Sequence, residues 1–390
     1  MIRVGLVLSF KGGWLGGINY FRNLISAVYA LSGQKIELVV FTNCQTSSDC
    51  FEGFPPIEVV RSDLFDDRSV RNFARKVWKK LFSHDLFLER LLNKHRVVAL
   101  SHSGLVVGSK IPSLCWIPDF QHNCLPELFD ELEIRQRDQL FQLWCTQAST
   151  IILSSQDSKK DLLRFFPDCA ATLEVLQFVA GVSTPDRCSN LIELKQRYNI
   201  KEKYFLVPNQ FWKHKNHRVV IDALSELIAE GRDVVVLATG SMNDHRHPDF
   251  FNNLMSYAAE RGVSENFKVL GMVPAADLAG LMTYALALIN PSLFEGWSTS
   301  VEEAKSMGKR ILLSDIPVHR EQNPPGGLYF NPHDHADLAQ MMWDLWITGN
   351  EEATALLALQ AKSNFYERQR LFGAAYQNIV LRAIQEPKSK

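Results

Sequence analysis

Short apolar runs rich in β-branched residues alternate with stretches of helical periodicity through the whole chain. Strands that read as continuous apolar runs are buried on both faces, which is typical of parallel sheets covered by helices. The pattern therefore predicts an α/β protein with two doubly wound sheets. The predicted strands lie near residues 2–8, 36–42, 57–60, 97–101, 113–117, 150–154 and 173–177, and near 204–207, 234–238, 267–270, 286–290, 311–314 and 328–330.

The chain length of 390 residues favours two domains over one. A polar stretch with Gly181 and Pro185 interrupts the pattern of strands and helices between the halves. We expect an N-terminal domain over 1–178, a crossing over 179–199 and a C-terminal domain over 200–365.

Charge and cysteine usage narrow the function classes. The 42 Lys and Arg residues nearly balance the 43 Asp and Glu residues, so no overall field attracts nucleic acid. The seven cysteines are scattered, without a CxxC pair, which favours free thiols in a reducing compartment. The N-terminus reads as a first buried strand rather than a signal peptide, and no uncharged stretch reads as a continuous membrane span. We expect a cytoplasmic protein.

Ligands of doubly wound sheets bind beyond the carboxyl ends of the strands, so the chemistry is expected in the loops that follow them. The first such loop, Lys11–Asn19, contains Gly16 and Gly17 and leads into a helix, whose amides suit an anion. It lacks the GxGxxG pattern, and no acidic residue closes the second strand, which argues against NAD. The alternative is that the glycines serve only as turn residues.

A basic loop follows the first strand of the second half. It runs from Pro208 to His217 and contains Gln210, Lys213 and Lys215 before a helix begins. Lysines and a helix N-terminus suit a diphosphate, although a solvated basic loop is equally compatible with the pattern. The two histidines of this loop, at 214 and 217, lack the further ligands that zinc needs.

Two carboxylates mark the segment Asn290–Lys305, which predicts a strand end, a tight loop and a helix start. Glu295 lies in the loop and Glu303 in the first turns of the helix. Carboxylates accept hydrogen bonds from the vicinal hydroxyls of sugars. The alternative is a capping box, because Thr299 precedes Glu302, and Ser300 precedes Glu303, by three residues.

Together these loops resemble the retaining glycosyltransferases of the GT-B fold, in particular glycosyltransferase family 4, also called glycosyl transferases group 1. The resemblance runs almost continuously from about 204 to 345 and is looser in the first half. It implies two Rossmann-like domains facing across a cleft, with a C-terminal helix over 366–390 packing back on the first domain. The matching segments are Gly16-Gly17, Gln210 to Asn216, Leu270 to Leu278, and Phe294 to Pro317.

The resemblance also implies roles for individual residues. Glu303 matches the carboxylate that holds the ribose of a nucleotide diphosphate sugar, and Glu295 the one near the transferred sugar. Lys215 matches the cation that binds the diphosphate of the donor. We expect the donor to be a UDP- or GDP-linked sugar. The other residues expected to face the donor are Gly16, Gly17, Gln210, Gly296, Ser298 and Thr299. No metal or cofactor is expected, because cations and helix ends would take the charge of the leaving diphosphate.

The chain departs from the family pattern at several positions. Gln210 stands where the family often has Arg, and Lys213 or His214 are the candidates to supply that charge. Pro118 stands where many members have a sugar-contacting His, so Asp119 and His122 are the candidate catalytic residues beside Glu295. The alternative for Asp119 and His122 is ordinary hydrogen bonding within a loop. Trp297-Ser298-Thr299 resembles a subgroup linked to polysaccharide assembly.

Residues 68–81 predict a basic amphipathic helix, with cations beside the apolar residues Val70, Phe73, Ala74, Val77 and Leu81. Such a helix suits peripheral contact with the cytoplasmic face of an anionic membrane. The alternative is an ordinary helix that packs its apolar face on the sheet and turns its cations to solvent.

The function expected from this resemblance is a retaining, metal-independent transfer of a sugar from a nucleotide diphosphate donor to a glycan or lipid-linked acceptor. Polysaccharide or cell-surface glycan synthesis is the expected setting. The alternatives are a nucleotide-sugar epimerase of the same fold and a non-catalytic binder of sugar nucleotides.

Overall fold

The computed structural model describes residues 1–8, 15–181, 188–200, 203–349 and 351–385. The strands are β1 (Ile2–Val7), β2 (Ile36–Thr42), β3 (Glu58–Arg61), β4 (Val97–Ser101), β5 (Ser113–Ile117), β6 (Thr150–Leu153), β7 (Thr172–Val175), β8 (Phe205–Val207), β9 (Val236–Thr239), β10 (Phe267–Gly271), β11 (Leu288–Asn290), β12 (Ile311–Ser314) and β13 (Gly327–Phe330). The helices are α1 (Leu15–Tyr29), α2 (Val70–Phe82), α3 (Leu86–Lys94), α4 (Gln121–Cys124), α5 (Glu131–Gln147), α6 (Gln156–Phe165), α7 (Leu191–Tyr198), α8 (His217–Ala229), α9 (Phe250–Glu260), α10 (Ala275–Tyr284), α11 (Thr299–Met307), α12 (Pro317–Gln322), α13 (His335–Thr348) and α14 (Glu351–Gln385).

The described residues form two compact units, each built on one parallel sheet. The first unit takes its residues from Met1–Asn123, Glu131–Val179 and Glu367–Lys390, and the second from Cys124–Asp130 and Ala180–Tyr366. The sheet orders are β3-β2-β1-β4-β5-β6-β7 and β10-β9-β8-β11-β12-β13. This confirms the predicted fold class of two doubly wound α/β units, and each strand begins and ends within two residues of its prediction.

The second sheet is buried on both faces, which explains its uninterrupted apolar strands. Phe205 and Val207 of β8 point to one face, where α8, α9 and α13 cover them. Leu206 points to the other face, into a core with residues of α7, α10 and α11. Because successive strand residues alternate in direction, a strand between two helical layers must be apolar at every position.

The C-terminal part of α14 packs within the first unit, where Tyr376 and Val380 are fully buried. The approach is close, because a Cβ at Gly373 would lie 2.3 Å from the carbonyl oxygen of Ala27. The side chain of Gln377 adds a polar contact, since its Oε1 accepts a hydrogen bond from the Lys35 amide at 2.6 Å. A long helix thus returns to the side of the first sheet that α1 covers.

The strand order reverses once in each sheet. In the first sheet the reversal lies between β1 and β4, and in the second between β8 and β11. At such a point the two following loops diverge and leave a crevice in which ligands of doubly wound sheets bind. The second sheet therefore brings together the loop after β8 and the loop after β11, which contain Lys215 and Glu295. None of the described helices is long and apolar enough to cross a membrane.

Candidate functional site

A buried polar network fastens the two loops at the reversal point of the second sheet. Asn290, the last residue of β11, is fully buried, and its Nδ2 donates to Ser298 Oγ at 2.7 Å and to Ser300 Oγ at 3.1 Å. Its Oδ1 accepts from the Ser292 amide at 3.3 Å and from Asn209 Nδ2 at 3.2 Å. Since Asn209 follows β8, this network sets the distance between the loops.

Lys215 and Glu295 form an ion pair across these loops. The Nζ of Lys215 lies 2.6 Å from Oε1 of Glu295, and Ser292 Oγ donates to the same oxygen at 2.7 Å. Burial alone would raise the pKa of Glu295, but the Lys215 charge holds that pKa at about 2. The side chains are only 15% and 10% exposed, so the pair keeps a fixed carboxylate and a fixed cation at the mouth of the crevice.

The histidines of the basic loop are buried and neutral. Burial lowers the pKa of His214 to about 3, and the same cause lowers that of His217 to about 3. The His217 ring stacks on Phe211 with centroids 4.5 Å apart. His214 therefore supplies no positive charge in place of the family Arg, whereas Lys213 is exposed. No three metal-ligating side chains cluster anywhere in the described ranges.

His319 also lies at this site, although no motif in the sequence marks it. It is fully buried on α12, and its Nδ1 lies 2.9 Å from the carbonyl oxygen of Ser314. Its Nε2 is buried and has no hydrogen-bond partner among the described residues. Burial lowers the pKa of His319, while the carboxylate of Glu295 acts in the opposite direction. Its only sequence signal is its place five residues after a strand end, which many ordinary core histidines share.

Helix α11 begins without the predicted capping box. Ser298 is its N-cap residue, and no side chain caps the helix, because the Ser298 hydroxyl is bound to Asn290. Glu302 is 1% exposed and accepts from Lys305 Nζ at 3.1 Å, so it is a structural carboxylate. Glu303 is half-buried beside it. The capping alternative for Glu303 is wrong, because neither Thr299 nor Ser300 occupies the N-cap position.

Gln322 of α12 holds the residues that precede α11. Its Oε1 accepts from the Ser298 amide and its Nε2 donates to the Ser298 carbonyl, both at 3.0 Å. Trp297 is 9% exposed, whereas Gly296 and Thr299 are half-buried. The predicted donor-facing loop is therefore a rigid segment, which leaves the first amides of α11 to interact with an anion.

Gln210 is half-buried and lies against the end of the neighbouring strand β9. Gly240, which follows β9, has φ +140°, and a Cβ there would lie 2.5 Å from the Asn209 carbonyl oxygen. Only glycine lets the two backbones come so close. The position of Gln210 in the basic loop therefore depends on Gly240.

In the first unit, Gly16 and Gly17 lie in the first turn of α1, at the reversal point between β1 and β4. The preceding part of the predicted anion loop, 9–14, lies outside the described residues. His102, after β4, is 7% exposed, and its Nε2 lies 2.6 Å from the Tyr20 hydroxyl. Burial lowers the pKa of His102 to about 3.

The structure gives Asp119 and His122 local contacts. Asp119 Oδ1 accepts from the Gln121 amide at 3.0 Å, at the start of α4. The His122 ring is fully buried, its Nε2 lies 3.2 Å from Asp138 Oδ1, and burial lowers its pKa. A buried ring cannot reach a substrate, so for His122 the geometry favours loop hydrogen bonding over the expected catalytic role.

The loops described above lie within a range that matches a known family. Residues 192–356 match the family described as Glycosyl transferases group 1, a range that contains the Lys215–Glu295 pair and Glu303. The O-antigen chain mannosyltransferase RfbU of Salmonella typhimurium is 29% identical over 153 residues, 37% of this chain and 38% of that protein. The O-antigen chain mannosyltransferase B of Escherichia coli is 24% identical over 250 residues, 62% of this chain and 64% of that protein. The matches thus span less than two thirds of the length of each relative.

A solved structure extends the likeness to the whole fold. Anabaena HepE in complex with UDP and glucose superposes with a TM-score of 0.67 at 16% sequence identity, over 98% of this chain and 99% of that one. At this identity the likeness concerns the fold alone. It assigns both units to the GT-B architecture.

Proposed function

We propose that this chain, whose residues 192–356 match the glycosyl transferases group 1 family, transfers a sugar from a nucleotide diphosphate donor to a glycan acceptor. The observation that carries the proposal is the Lys215–Glu295 pair, 2.6 Å apart at the reversal point of the second sheet. A fixed cation beside a fixed carboxylate suits a ligand that joins a diphosphate to a polyhydroxyl ring.

Each half of the pair has its own task in this proposal. Lys215 binds the diphosphate, and Glu295 accepts hydrogen bonds from the hydroxyls of the transferred sugar. With a pKa of about 2, Glu295 is an acceptor at every physiological pH. Glu303, which is half-buried in the first turns of α11, accepts hydrogen bonds from the ribose hydroxyls.

Charge at the leaving diphosphate comes from several groups. Lys215 contributes one cation, and the uncapped N-terminus of α11 contributes amides with a partial positive charge. Because His214 is neutral, exposed Lys213 is the better replacement for the family Arg at the Gln210 position. The start of α1, with Gly16 and Gly17, remains the proposed donor-facing segment of the first unit. These groups make a metal ion unnecessary for the leaving group.

The chemical step we propose is retaining. The bond between the anomeric carbon and the diphosphate oxygen breaks, an acceptor hydroxyl oxygen bonds to the same face of that carbon, and the hydroxyl proton passes to the departing diphosphate. Glu295 orients the sugar for this step. We assign Asp119 and His122 to holding their loop, since Asp119 caps α4 and the His122 ring is buried.

The relatives indicate the sugar and the acceptor. The two curated relatives are both named O-antigen chain mannosyltransferases, so we propose a mannosyl donor and a surface-polysaccharide chain as acceptor. None of the seven cysteines forms a disulfide in the described part of the chain, which supports the proposed reducing, cytoplasmic setting. HepE binds UDP in its structure, and the sequence leads us to expect a UDP- or GDP-linked donor, so both kinds of donor belong in the test.

Product analysis tests the proposal. The purified chain is incubated in chelator with GDP-mannose or UDP-sugars, with and without an O-antigen polysaccharide fragment, and free nucleotide and extended glycan are separated by chromatography. The proposal predicts nucleotide release coupled to an extended glycan with the anomeric configuration of the donor. If the donor is epimerised in the absence of acceptor, the chain is an epimerase and the proposal is wrong. If the chain binds nucleotide but turns over no donor, it is a non-catalytic binder and the proposal is also wrong.

A further inference from the structure

Helix α2 turns its apolar face to the solvent, whereas an ordinary surface helix packs that face on the protein core. Six of its apolar side chains are exposed, and four of the six form one face: Val70 at 84%, Phe73 at 69%, Val77 at 40% and Leu81 at 71%. At about 100° per residue these positions lie within one arc roughly 80° wide. The alternative in which this face packs on the sheet is therefore excluded for these four side chains.

The polar side of α2 fastens it to the first unit instead. Asn72 is 5% exposed and its Nδ2 donates to the Asp66 carbonyl at 2.9 Å. Arg75 holds the fully buried Asp85 through Nε at 2.9 Å and Nη2 at 2.8 Å. Both residues lie on the side of the helix opposite Val70 and Leu81. These polar contacts fix α2 with its apolar arc exposed to water. Soluble proteins rarely expose contiguous apolar surface in this way.

The cations of α2 flank this arc. Lys76 and Lys80 lie along one edge of the arc beside Phe73, and neither is in an ion pair among the described residues. The helix itself carries no acidic residue. An apolar stripe bordered by free lysines is the arrangement of helices that lie in a bilayer interface.

A pocket of about 380 Å³ extends the positive surface. It shares Arg71 with α2 and is also lined by Arg61, Arg90 and Lys94, with Asp63 as its acidic residue. Basic side chains at the edge of an apolar stripe attract anionic headgroups within a Debye length. The charge and the exposed arc therefore point to the same kind of surface.

We propose that α2 docks the chain on an anionic lipid bilayer, with Val70, Phe73, Val77 and Leu81 in the acyl boundary and the lysines at the headgroup phosphates. The docking goes beyond the proposed transfer reaction and requires no nucleotide.

Vesicle co-sedimentation of the full chain tests the proposal without any nucleotide. Vesicles contain phosphatidylcholine alone or equal parts of phosphatidylcholine and phosphatidylglycerol. We expect binding to the anionic vesicles to be about tenfold or more stronger, and to weaken as salt is added. Absence of binding to anionic vesicles, or equal binding to both kinds, would overturn the proposal.

Two variants separate the apolar arc from its charges. Phe73→Ser/Leu81→Ser removes apolar surface at constant charge, and Lys76→Glu/Lys80→Glu reverses charge; each should reduce anionic vesicle binding about tenfold or more. The exposed Leu359, at 76%, gives the control Leu359→Ser, and the exposed lysines Lys110 and Lys160 give the control charge reversals. All altered side chains are exposed, so unchanged melting temperatures are expected.

The remaining outcomes also decide the proposal. Full vesicle binding by Phe73→Ser/Leu81→Ser would overturn it, since the apolar arc would then play no part. A dimer that forms without vesicles and is lost in that variant would assign the arc to a second copy of the chain and overturn lipid docking. Neither result depends on nucleotide binding, so it leaves the proposed transfer reaction untouched.

Discussion

The ammonium of Lys215 lies 2.6 Å from a carboxylate oxygen of Glu295, although 80 residues separate the two in the chain. The pair exists because β8 and β11 are neighbours in the second sheet and their loops share one network through Asn290. A bound diphosphate would share the Lys215 charge with Glu295. The pair thus links the stability of the empty site to its affinity for donor.

Breaking the pair from one side should destabilise the chain. Lys215→Met leaves the Glu295 carboxylate buried without its cation, and we expect the free energy of unfolding to fall by about 3 kcal/mol. Lys215→Met/Glu295→Gln removes both charges and should recover most of that loss. Urea denaturation measures both variants, and equal instability of the single and double variants would contradict the account.

Glu303 and Glu302 are adjacent carboxylates with different expected roles. Glu303→Ala should weaken nucleotide diphosphate binding by about tenfold to a hundredfold and change stability by less than about 1 kcal/mol, because Glu303 caps no helix. Glu302→Ala removes the buried partner of Lys305 and Gln322 and should lower stability by about 1–3 kcal/mol. Calorimetry and urea denaturation separate the two effects; unchanged affinity in Glu303→Ala would remove Glu303 from the site.

Acid should destabilise the chain in two pH windows. Burial lowers the pKa of His102, His214 and His217 to about 3, so between pH 6.5 and 3 the unfolded chain binds more protons than the folded one. The free energy of unfolding therefore falls as pH drops below 6.5, by up to about 1.4 kcal/mol per pH unit for each histidine. Glu295, with a pKa of about 2, adds a second loss between pH 4.5 and 2.

Substitutions assign these windows in urea titrations at a series of pH values. His214→Gln should reduce the slope of unfolding free energy against pH below pH 6.5 by the contribution of one histidine. The control His245→Gln, at an exposed histidine, should leave that slope unchanged. Glu295→Gln should remove the loss below pH 4.5 only. A slope below pH 6.5 that His214→Gln leaves intact would show that this ring titrates normally.

Gly240 and Gly262 form a matched pair for backbone substitution, since both have positive φ. A Cβ at Gly240 would meet backbone atoms of Asn209 and Gln210 at 2.5–2.8 Å, whereas a Cβ at Gly262 has no atom within 4 Å. Gly240→Ala should cost about 3 kcal/mol and weaken nucleotide binding by displacing the basic loop, while Gly262→Ala should cost about 1 kcal/mol. Similar losses in both variants would show that the loop adapts.

The strands could be predicted because sheets buried on both faces require apolar residues at every position, as at Phe205, Leu206 and Val207. The orientation of α2 could not, because its periodicity is the same whether Val70 and Leu81 face the protein or the solvent. The orientation of α2 is set by the ion pair between Arg75 of α2 and the buried Asp85, which is the N-cap residue of α3.

The site was predictable to a similar extent. Loop composition selected Lys215 and Glu295 individually, but their contact follows from the strand order, which spacing along the chain does not contain. The N-cap of α11 lies at Ser298 because Asn290 and Gln322 hold that residue, so the capping-box spacing misled. The burial of His122 and His319 depends likewise on residues distant in sequence.

Thermal unfolding with UDP, GDP, ADP or CDP in the presence of chelator tests the central claim most directly. A nucleotide at roughly a hundred times its dissociation constant adds roughly 2.7 kcal/mol of stability, a melting shift of about 2–4 °C. We predict such a shift with at least one nucleotide diphosphate for the wild-type chain and for the control Lys160→Met, at an exposed lysine outside the proposed site, and its loss in Lys215→Met. No shift with any nucleotide, or a shift that Lys215→Met retains in full, would contradict a donor site at the Lys215–Glu295 pair.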